Sequence, residues 1–299
     1  MPSWNGNSGG VDWALTLERD VLLPSRLVNG TVRVTAQKSV EARALLVTLR
    51  GVEHWVYETT TTDGQGHTTT TRHTGSHDLP SEPVMVGGAM SLAAGESREL
   101  PFQLPTPELG PPTIIAEMVR VDWSIEAKLD KEGGFDSSLE VPVMVAQPIA
   151  LLRAGVVRVE QFALYPSADA ADGKLAGSMS LDPLPLVAGA PFSGKITLRP
   201  SGAVNVRSVR AEVRVHTKAM VGGGLSEVIT AWSAQLGGAG TVSGETVYEI
   251  TGSLPITAPP TAETPHGKVW SELVLVLDVA WARDPHLRRD ITIASTGEL

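Results

Sequence analysis

The sequence predicts an all-β protein made of two tandem antiparallel, immunoglobulin-like β-sandwiches. Its 30 glycines and 21 prolines interrupt the chain at short intervals, which is typical of many short strands joined by turns. From Val121 to Leu129, apolar residues alternate with polar or charged ones, which indicates a half-buried antiparallel strand. A similar order of strands, turns and proline clusters returns in the second half of the chain, which indicates a tandem repeat.

The composition argues against several classes of protein. The absence of cysteine excludes disulfides, thiol catalysis and thiolate metal sites. A net charge of −9 argues against nucleic-acid binding, which usually requires a concentrated basic face. The N-terminal residues lack the basic and apolar regions of a signal peptide, and no apolar run approaches the ~18 residues of a transmembrane helix. We therefore expect a cytoplasmic protein without a transmembrane segment.

The chain divides into four predicted segments. Residues 1–10 are mostly Gly, Asn and Ser and predict a flexible N-terminus. The first sandwich is expected over residues 11–147, a linker over 148–155 and the second sandwich over 156–299. With 299 residues in all, each sandwich is long enough to bury its own core.

Within the first sandwich, two stretches decide the strand assignment. Residues 27–34 predict one early strand, and Asn29-Gly30 inside it fits either a hairpin turn or a bulge at Gly30. Residues 40–51 begin with helix-forming residues, but their apolar residues alternate and no helix cap frames them. We interpret residues 40–51 as a central strand.

Residues 54–77 predict a protruding β-hairpin. Two threonine runs, 59–62 and 68–71, flank the turn signal Asp63-Gly64-Gln65-Gly66. A turn at Gly64-Gln65 would place Thr62 opposite His67. By the same register, Tyr57 would face Arg72 and Val56 would face His73. Because the tip has almost no apolar side chains to bury, we expect it to be solvent-exposed. The candidate partner-binding residues here are Tyr57, Thr60, Thr62, His67, Thr69 and Arg72.

The histidines of this segment are the best candidates for a metal site. His67, His73 and His77 would share one face of a straight strand. His67 and His73 would then lie ~20 Å apart, whereas zinc needs its nitrogen ligands within ~2.1 Å of the metal. A solvated hairpin without metal is the favoured interpretation, and we expect no cofactor.

The second half repeats the plan of the first. We expect it to open with a strand at 156–164 and a loop at 168–173. The corresponding stretches are 187–198 with 28–34, 206–215 with 40–49, 248–255 with 102–105, the prolines 259, 260 and 265 with 107, 111 and 112, and 273–284 with 119–130. Their common order is what indicates the repeat.

A basic cluster follows the last of these stretches. Arg283, Arg288 and Arg289, with His286, stand out in an acidic chain and are further candidates for partner contact. They suit an anionic headgroup at a membrane surface, a phosphorylated partner or an acidic peptide. Salt bridges with Asp284 and Asp290 are the simpler explanation.

The landmarks of both halves resemble the arrestin family. The matching residues of the first half are Gly30; Val47, Leu49, Gly51 and Trp55; Leu92 and Gly95; Pro101, Phe102, Leu104 and Pro105; Pro112; and Val121, Trp123, Ile125, Ala127, Leu129 and Asp130. The chain departs from the visual arrestins, because Glu18-Arg19 stands where they place paired lysines. In style it resembles the plain scaffold of bacterial sporulation-control proteins and retromer-type subunits.

The resemblance implies a non-catalytic adaptor that binds protein partners through sheet edges, a groove between the domains and the threonine-rich hairpin. The hairpin would alternatively exchange between subunits of a homo-oligomer. Two other classes stay open at this point. One is an envelope or extracellular immunoglobulin-like adhesion module, and the other is an enzyme with a site between the sandwiches. We find no nucleophile elbow, metalloprotease motif or phosphate loop, and we therefore expect no enzyme.

Overall fold

The computed structural model describes residues 1–107, 110–133, 135–153, 168–170, 175–222, 225–281 and 284–296. The chain forms two compact units. Unit 1 contains residues 1–54, 76–113 and 121–146, and unit 2 contains residues 55–75, 114–120 and 147–299. The units differ from the expected segments 11–147 and 156–299, because the hairpin 55–75 and the segment 114–120 belong to the second unit.

The first half of the chain consists of β-strands. They are β1 (Ser3–Ser8), β2 (Val11–Leu17), β3 (Val21–Leu22), β4 (Leu27–Ala36), β5 (Val40–Thr62), β6 (Thr68–Leu79), β7 (Val84–Gly87), β8 (Met90–Leu92), β9 (Ser97–Pro105), β10 (Val119–Lys131) and β11 (Ser137–Val145). One sheet has the order β1-β2-β4-β9, and the other has the order β3-β11-β10-β5-β6, with β7 and β8 also paired to β5. The all-β sandwich prediction is confirmed.

Strand β10 shows why the sequence pattern is informative. Val121, Trp123, Ile125, Ala127 and Leu129 are all buried, while the residues between them are partly exposed. Side chains of a strand alternate between its two faces, so the alternation places one apolar row in the core and one polar row towards solvent. The predicted central strand at 40–51 is also observed, as the first half of the long β5.

The expected flexible N-terminus is instead the edge strand β1, which pairs antiparallel with β2 from Ser3↔Thr16 to Ser8↔Val11. Gly9 and Gly10 both have positive φ, 57° and 78°, which is the requirement of a tight type I′ hairpin turn. The strand is held mainly by its backbone hydrogen bonds, because its side chains are exposed or half-buried.

Gly30 forms neither the turn nor the bulge that its sequence allowed. β4 runs through it in regular register with both β2 and β9. The glycine is required by packing, because a Cβ at this position would lie 2.4 Å from Cζ of Phe102 and 2.7 Å from the carbonyl oxygen of Thr16. Phe102 therefore packs across the position where a side chain would otherwise stand.

The second half is also built of strands, preceded by one short helix. The elements are α1 (Ile149–Arg153), β12 (Ala168–Ala170), β13 (Leu175–Asp182), β14 (Leu186–Val187), β15 (Pro191–Pro200), β16 (Val204–Val206), β17 (Ser208–Ala219), β18 (Ser226–Gly237), β19 (Gly240–Val242), β20 (Thr246–Ser253), β21 (Ala262–Glu263), β22 (Gly267–Asp278), β23 (His286–Ile291) and β24 (Ile293–Ala294). A four-stranded sheet has the order β12-β13-β15-β20, and a five-stranded sheet has the order β18-β17-β22-β21 with β23 beside β22.

Two sequence expectations change in this half. Residues 168–170 were expected in a loop, but they form β12, which pairs with β13. The predicted linker contains α1, whose Ile149 and Leu152 pack against Ala294. The predicted strand at 156–164 lies outside the described residues.

The two sheets of the second sandwich meet through aromatic packing. The rings of Trp232 on β18 and Phe192 on β15 lie 5.1 Å apart, edge to face. Gly252 on β20 leaves room for the indole, because a Cβ there would lie 2.2 Å from Nε1 of Trp232. The inward face of β18 is therefore fixed against the opposite sheet.

Candidate partner-binding site

The tip of the hairpin is closed by a three-residue loop, Gly64 to Gly66. The backbone N–H of Asp63 donates to the carbonyl of His67 at 2.9 Å, and Gly66 adopts φ +85°. The Asp63 carboxylate accepts hydrogen bonds from the backbone N–H groups of His67 and Gln65, both at 2.9 Å. These bonds, that of His67 first, hold the pKa of Asp63 below its ordinary value.

The register of the hairpin differs by one residue from the predicted register. The hydroxyls of Thr60 and Thr70 lie 3.4 Å apart, and those of Thr62 and Thr68 lie 3.3 Å apart. A turn at Gly64-Gln65 would instead have paired Thr62 with His67. The prediction was wrong because the Asp63 cap and the left-handed Gly66 favour a three-residue loop over a two-residue turn.

This register divides the candidate residues between the two faces of the hairpin, because a one-residue shift moves side chains to the opposite face. Thr60 and Thr62 share a face with the Thr68 and Thr70 hydroxyls, whereas Tyr57 stacks with His73 on the other face, with ring centroids 5.2 Å apart. The remaining candidates are placed by alternation: Arg72 lies on the Thr60 face and Thr69 on the Tyr57 face.

The base of the hairpin is firmly packed, unlike its tip. The Trp55 ring stacks on His266, with centroids 3.9 Å apart and planes inclined by 13°. The backbone N–H of Val56 donates to the Met118 carbonyl at 3.1 Å, and Arg72 pairs with Glu117 at 2.5 Å. All residues from Thr59 to Arg72 are exposed, so the structure presents an exposed tip on an anchored base.

The three candidate metal-binding histidines each have a different environment. The ring of His67 lies 3.0 Å from an Asp63 carboxylate oxygen, and that of His73 lies 2.8 Å from the Thr59 hydroxyl. His77 lies near the far end of β6. Among the described residues, no group of three His, Cys, Asp or Glu side chains is placed to hold a metal ion.

The basic cluster at 283–289 is not a single surface. Arg288 is exposed, but Arg289 is only 2% exposed and donates from Nη1 to the Met179 carbonyl at 2.6 Å. Adjacent residues of a strand point to opposite faces, so β23 places one arginine outside and the other in the core. Arg289 is therefore corrected from a partner-binding to a core residue. Arg283 lies outside the described residues.

A set of charged residues that the sequence analysis missed lies on the outer face of the five-stranded sheet. Glu212 on β17 accepts hydrogen bonds from Nε of Arg210 at 2.6 Å and from Nε of Arg214 at 2.7 Å. Burial acts to raise the pKa of Glu212, but these two guanidinium groups outweigh it and hold the pKa below its ordinary value. The sequence shows that polar and apolar residues alternate along β17. It does not show which residues of β22 and β23 share its outer face.

His216 continues this row on β17. Its Nε2 lies 2.9 Å from the Glu272 carboxylate, and its ring stacks on Trp270 with centroids 4.9 Å apart. Burial acts to raise the pKa of Glu272, but His216, Arg288 and Arg214 outweigh it and lower the pKa. Asp290 lies opposite Glu272, and burial followed by that like charge raises the pKa of Asp290.

The family comparison agrees with this architecture. Residues 11–151 match the arrestin (or S-antigen) N-terminal domain. The chain therefore contains an arrestin-like N-terminal domain. A comparison with curated proteins gives no match. The finer likeness to sporulation-control proteins stays a prediction.

The arrestin-like character gives the class of function. Proteins of the arrestin family are generally non-catalytic adaptors that act through protein–protein interaction. Among the described residues, no helix is both long enough and apolar enough to span a membrane.

Proposed function

We propose that this arrestin-like protein is a cytoplasmic, non-catalytic adaptor that binds a protein partner through the tip of its threonine hairpin, residues 59–71. The observation that carries the proposal is the contrast between an anchored base and an exposed tip. Trp55 and Arg72 fix the base, while eight threonines stand in solvent beyond it.

The tip is a pair of extended strands whose side chains and free edge can form hydrogen bonds with a partner. Threonine is β-branched and favours extended backbone, and its hydroxyl both donates and accepts hydrogen bonds. β6 is the last strand in the order of its sheet, and no strand in the described part of the chain pairs with its outer edge. An extended partner segment can therefore add to that edge through main-chain hydrogen bonds. The anchored base limits the entropy lost on binding.

The test replaces residues 59–71 by Asn-Gly. This joins Glu58 to Arg72, which the observed register places opposite each other, so the base keeps its contacts. The full-length protein and this shortened variant are used as baits in extracts of the native cells, and bound proteins are identified by mass spectrometry. Phe135→Ser, a change in another exposed loop, is the matched control.

We expect the shortened variant to keep its melting temperature, because the tip buries little surface, and to lose a partner that the Phe135→Ser variant retains. Retention of every partner by the shortened variant would refute the hairpin as the binding site. A wild-type dimer that becomes monomeric on shortening, measured by light scattering, would identify a second copy as the partner. Recovery of the native protein only from the envelope or medium would refute the cytoplasmic assignment.

A further inference from the structure

The outward row of β17, in the five-stranded sheet of the second sandwich, is positively charged within an acidic chain. Cross-strand pairing places Arg214 beside Glu272 and Glu272 beside Asp290 in one row. The next row joins Glu212, Val274 and Arg288. We call the outward charged residues of β17 the cationic face, which comprises Arg210, Arg214 and Lys218 with the acidic Glu212. On this strand three cationic residues accompany one acidic residue, although the whole chain carries −9.

The arginines of this face are held in position and remain accessible. Glu212 binds Arg210 and Arg214 through separate carboxylate oxygens. The two side chains are nevertheless 36% and 28% exposed, while Glu212 is 11% exposed. A guanidinium has five N–H donors, so each arginine keeps donors for an external carboxylate.

The edge strand of this sheet next to the arginines, β18, has uncharged outward side chains. β18 pairs with β17 on one side, and within the described residues no strand pairs with its other side. Its outward side chains are Val228, Thr230, Ser233 and Gln235, which lie opposite His216, Arg214, Glu212 and Arg210. No Lys or Pro residue interrupts β18, although such residues commonly block an exposed edge.

The acidic residue of β18, Glu227, does not lie on the outward face where an acidic ligand would bind. Glu227 is turned inward, where its carboxylate accepts from the Glu117 N–H at 3.3 Å and from the Thr217 hydroxyl at 3.5 Å. The free edge from Val228 to Gln235 is therefore neutral, and the nearest outward charges are those of β17.

We propose that the free edge of β18 binds an extended acidic peptide by strand addition, with its carboxylates directed to Arg210 and Arg214. An added strand would lie about 9–10 Å from β17, a distance that long arginine and glutamate side chains bridge across the short Thr230 and Ser233. Main-chain hydrogen bonds supply affinity, and the arginines supply the preference for acid.

Charge and local geometry favour a short acidic peptide over a second copy of this chain. A second β18 would bring neutral side chains to the arginines, and two copies with a charge of −9 each repel one another. The pairing of β17 with β18 also shifts register between Val213 and Arg214 and again between Val209 and Arg210. Such bulges increase the local twist, which disfavours a long intermolecular sheet but permits a short added segment.

The experiment measures fluorescence anisotropy of a short labelled peptide in which glutamate alternates with valine. The full-length protein, Thr230→Glu and the matched Thr230→Gln are compared. The carboxylate introduced by Thr230→Glu would lie opposite Arg214 and compete for it, whereas glutamine has the same size without the charge. Circular dichroism and melting temperature establish that both variants are folded.

We expect Thr230→Glu to weaken binding roughly tenfold or more, Thr230→Gln to leave it nearly unchanged, and added salt to weaken the wild type. A peptide with lysine for glutamate should not bind. Equal binding of that peptide, no binding of the acidic peptide, or equal affinity of the two Thr230 variants would overturn the proposal. So would binding that requires phosphothreonine in place of glutamate, or a dimer that Thr230→Glu dissociates.

The proposal is independent of the hairpin. The variant with residues 59–71 shortened should bind the acidic peptide as the wild type does, so failure of the hairpin as a binding site and failure of the β18 edge give different results. Loss of acidic-peptide binding on shortening would overturn the assignment to β18.

Discussion

Gly75→Ala should destabilise the second unit, because the added methyl group would clash with Trp55 at the anchored base of the hairpin. A Cβ on Gly75 would lie 2.3 Å from Cε2, 2.4 Å from Cζ2 and 2.7 Å from Nε1 of Trp55. The indole cannot move easily, because it also stacks on the His266 ring, with centroids 3.9 Å apart. Gly64 in the same hairpin is the matched control, since nothing lies within 4 Å of its Cβ position.

The expected magnitude follows from overpacking. Inserting a methyl group into a packed site typically costs about 1–3 kcal/mol, whereas an exposed substitution stays within about 0.5 kcal/mol. For a domain of this size, about 1 kcal/mol shifts the melting temperature by roughly 2–4 °C. Gly75→Ala should therefore lower the melting temperature by roughly 2–12 °C, and Gly64→Ala should leave it unchanged or raise it slightly.

The assay is thermal unfolding followed by tryptophan fluorescence and by circular dichroism. A double-mutant cycle with Trp55→Ala tests the cause, because removing the indole removes the clash and the cost of Gly75→Ala should then disappear. Equal effects of the two glycine substitutions, or a cost of Gly75→Ala that persists without Trp55, would refute the clash as its origin.

The remaining predictions concern β23. Arg289→Ala should lower the free energy of unfolding by about 2–5 kcal/mol, because it leaves a cavity and removes the donor to Met179. Arg288→Ala should change it by no more than about 0.5 kcal/mol. Similar denaturant midpoints for the two variants would contradict the assignment of Arg289 to the core. Asp290→Asn should raise the melting temperature at pH 7 by about 1 °C or less, because Asp290 is exposed and solvent screens its repulsion from Glu272; exposed Glu249→Gln is the control. The pKa of Asp290 is raised on folding by burial and Glu272, so its ionisation costs stability above the folded pKa and costs nothing below the ordinary value of 3.8. The gain should vanish in acid, and a gain that persists there would contradict an electrostatic cause.

The sequence predicts those parts of the fold that depend on local pattern. β10 and the first half of β5 are recognised because buried and exposed residues alternate within one segment. β1 is missed because it has almost no apolar side chains, although Gly9-Gly10 was a turn signal that pointed to a hairpin. The hairpin register is missed because it depends on one side chain, Asp63, whose hydrogen bonds to the backbone select the loop length.

Candidate site residues are predicted less well, because proximity in sequence does not decide which face a residue shares. Arg288 and Arg289 are neighbours in sequence, yet one is exposed and the other donates to Met179 in the core. Arg214 and Arg288 are far apart in sequence, yet each lies one strand from β22 on the same face. Residues that are close in sequence can therefore lie on opposite faces of a sheet. Residues that strand order brings together cannot be recognised as a cluster until the sheet topology is known.

The two proposed surfaces have different physical requirements, and the difference bears on how an arrestin-like adaptor tolerates change. The hairpin tip is exposed, so we expect its threonines to tolerate substitution without loss of stability while Trp55 and Gly75 hold the base. The cationic face cannot vary so freely, because Glu212 is enclosed by Arg210 and Arg214, and loss of either arginine leaves a carboxylate with fewer partners. Substitution at the neutral edge residue Thr230 is therefore the cleaner way to alter ligand binding, since it changes the charge that a peptide meets without breaking the network that orients the arginines.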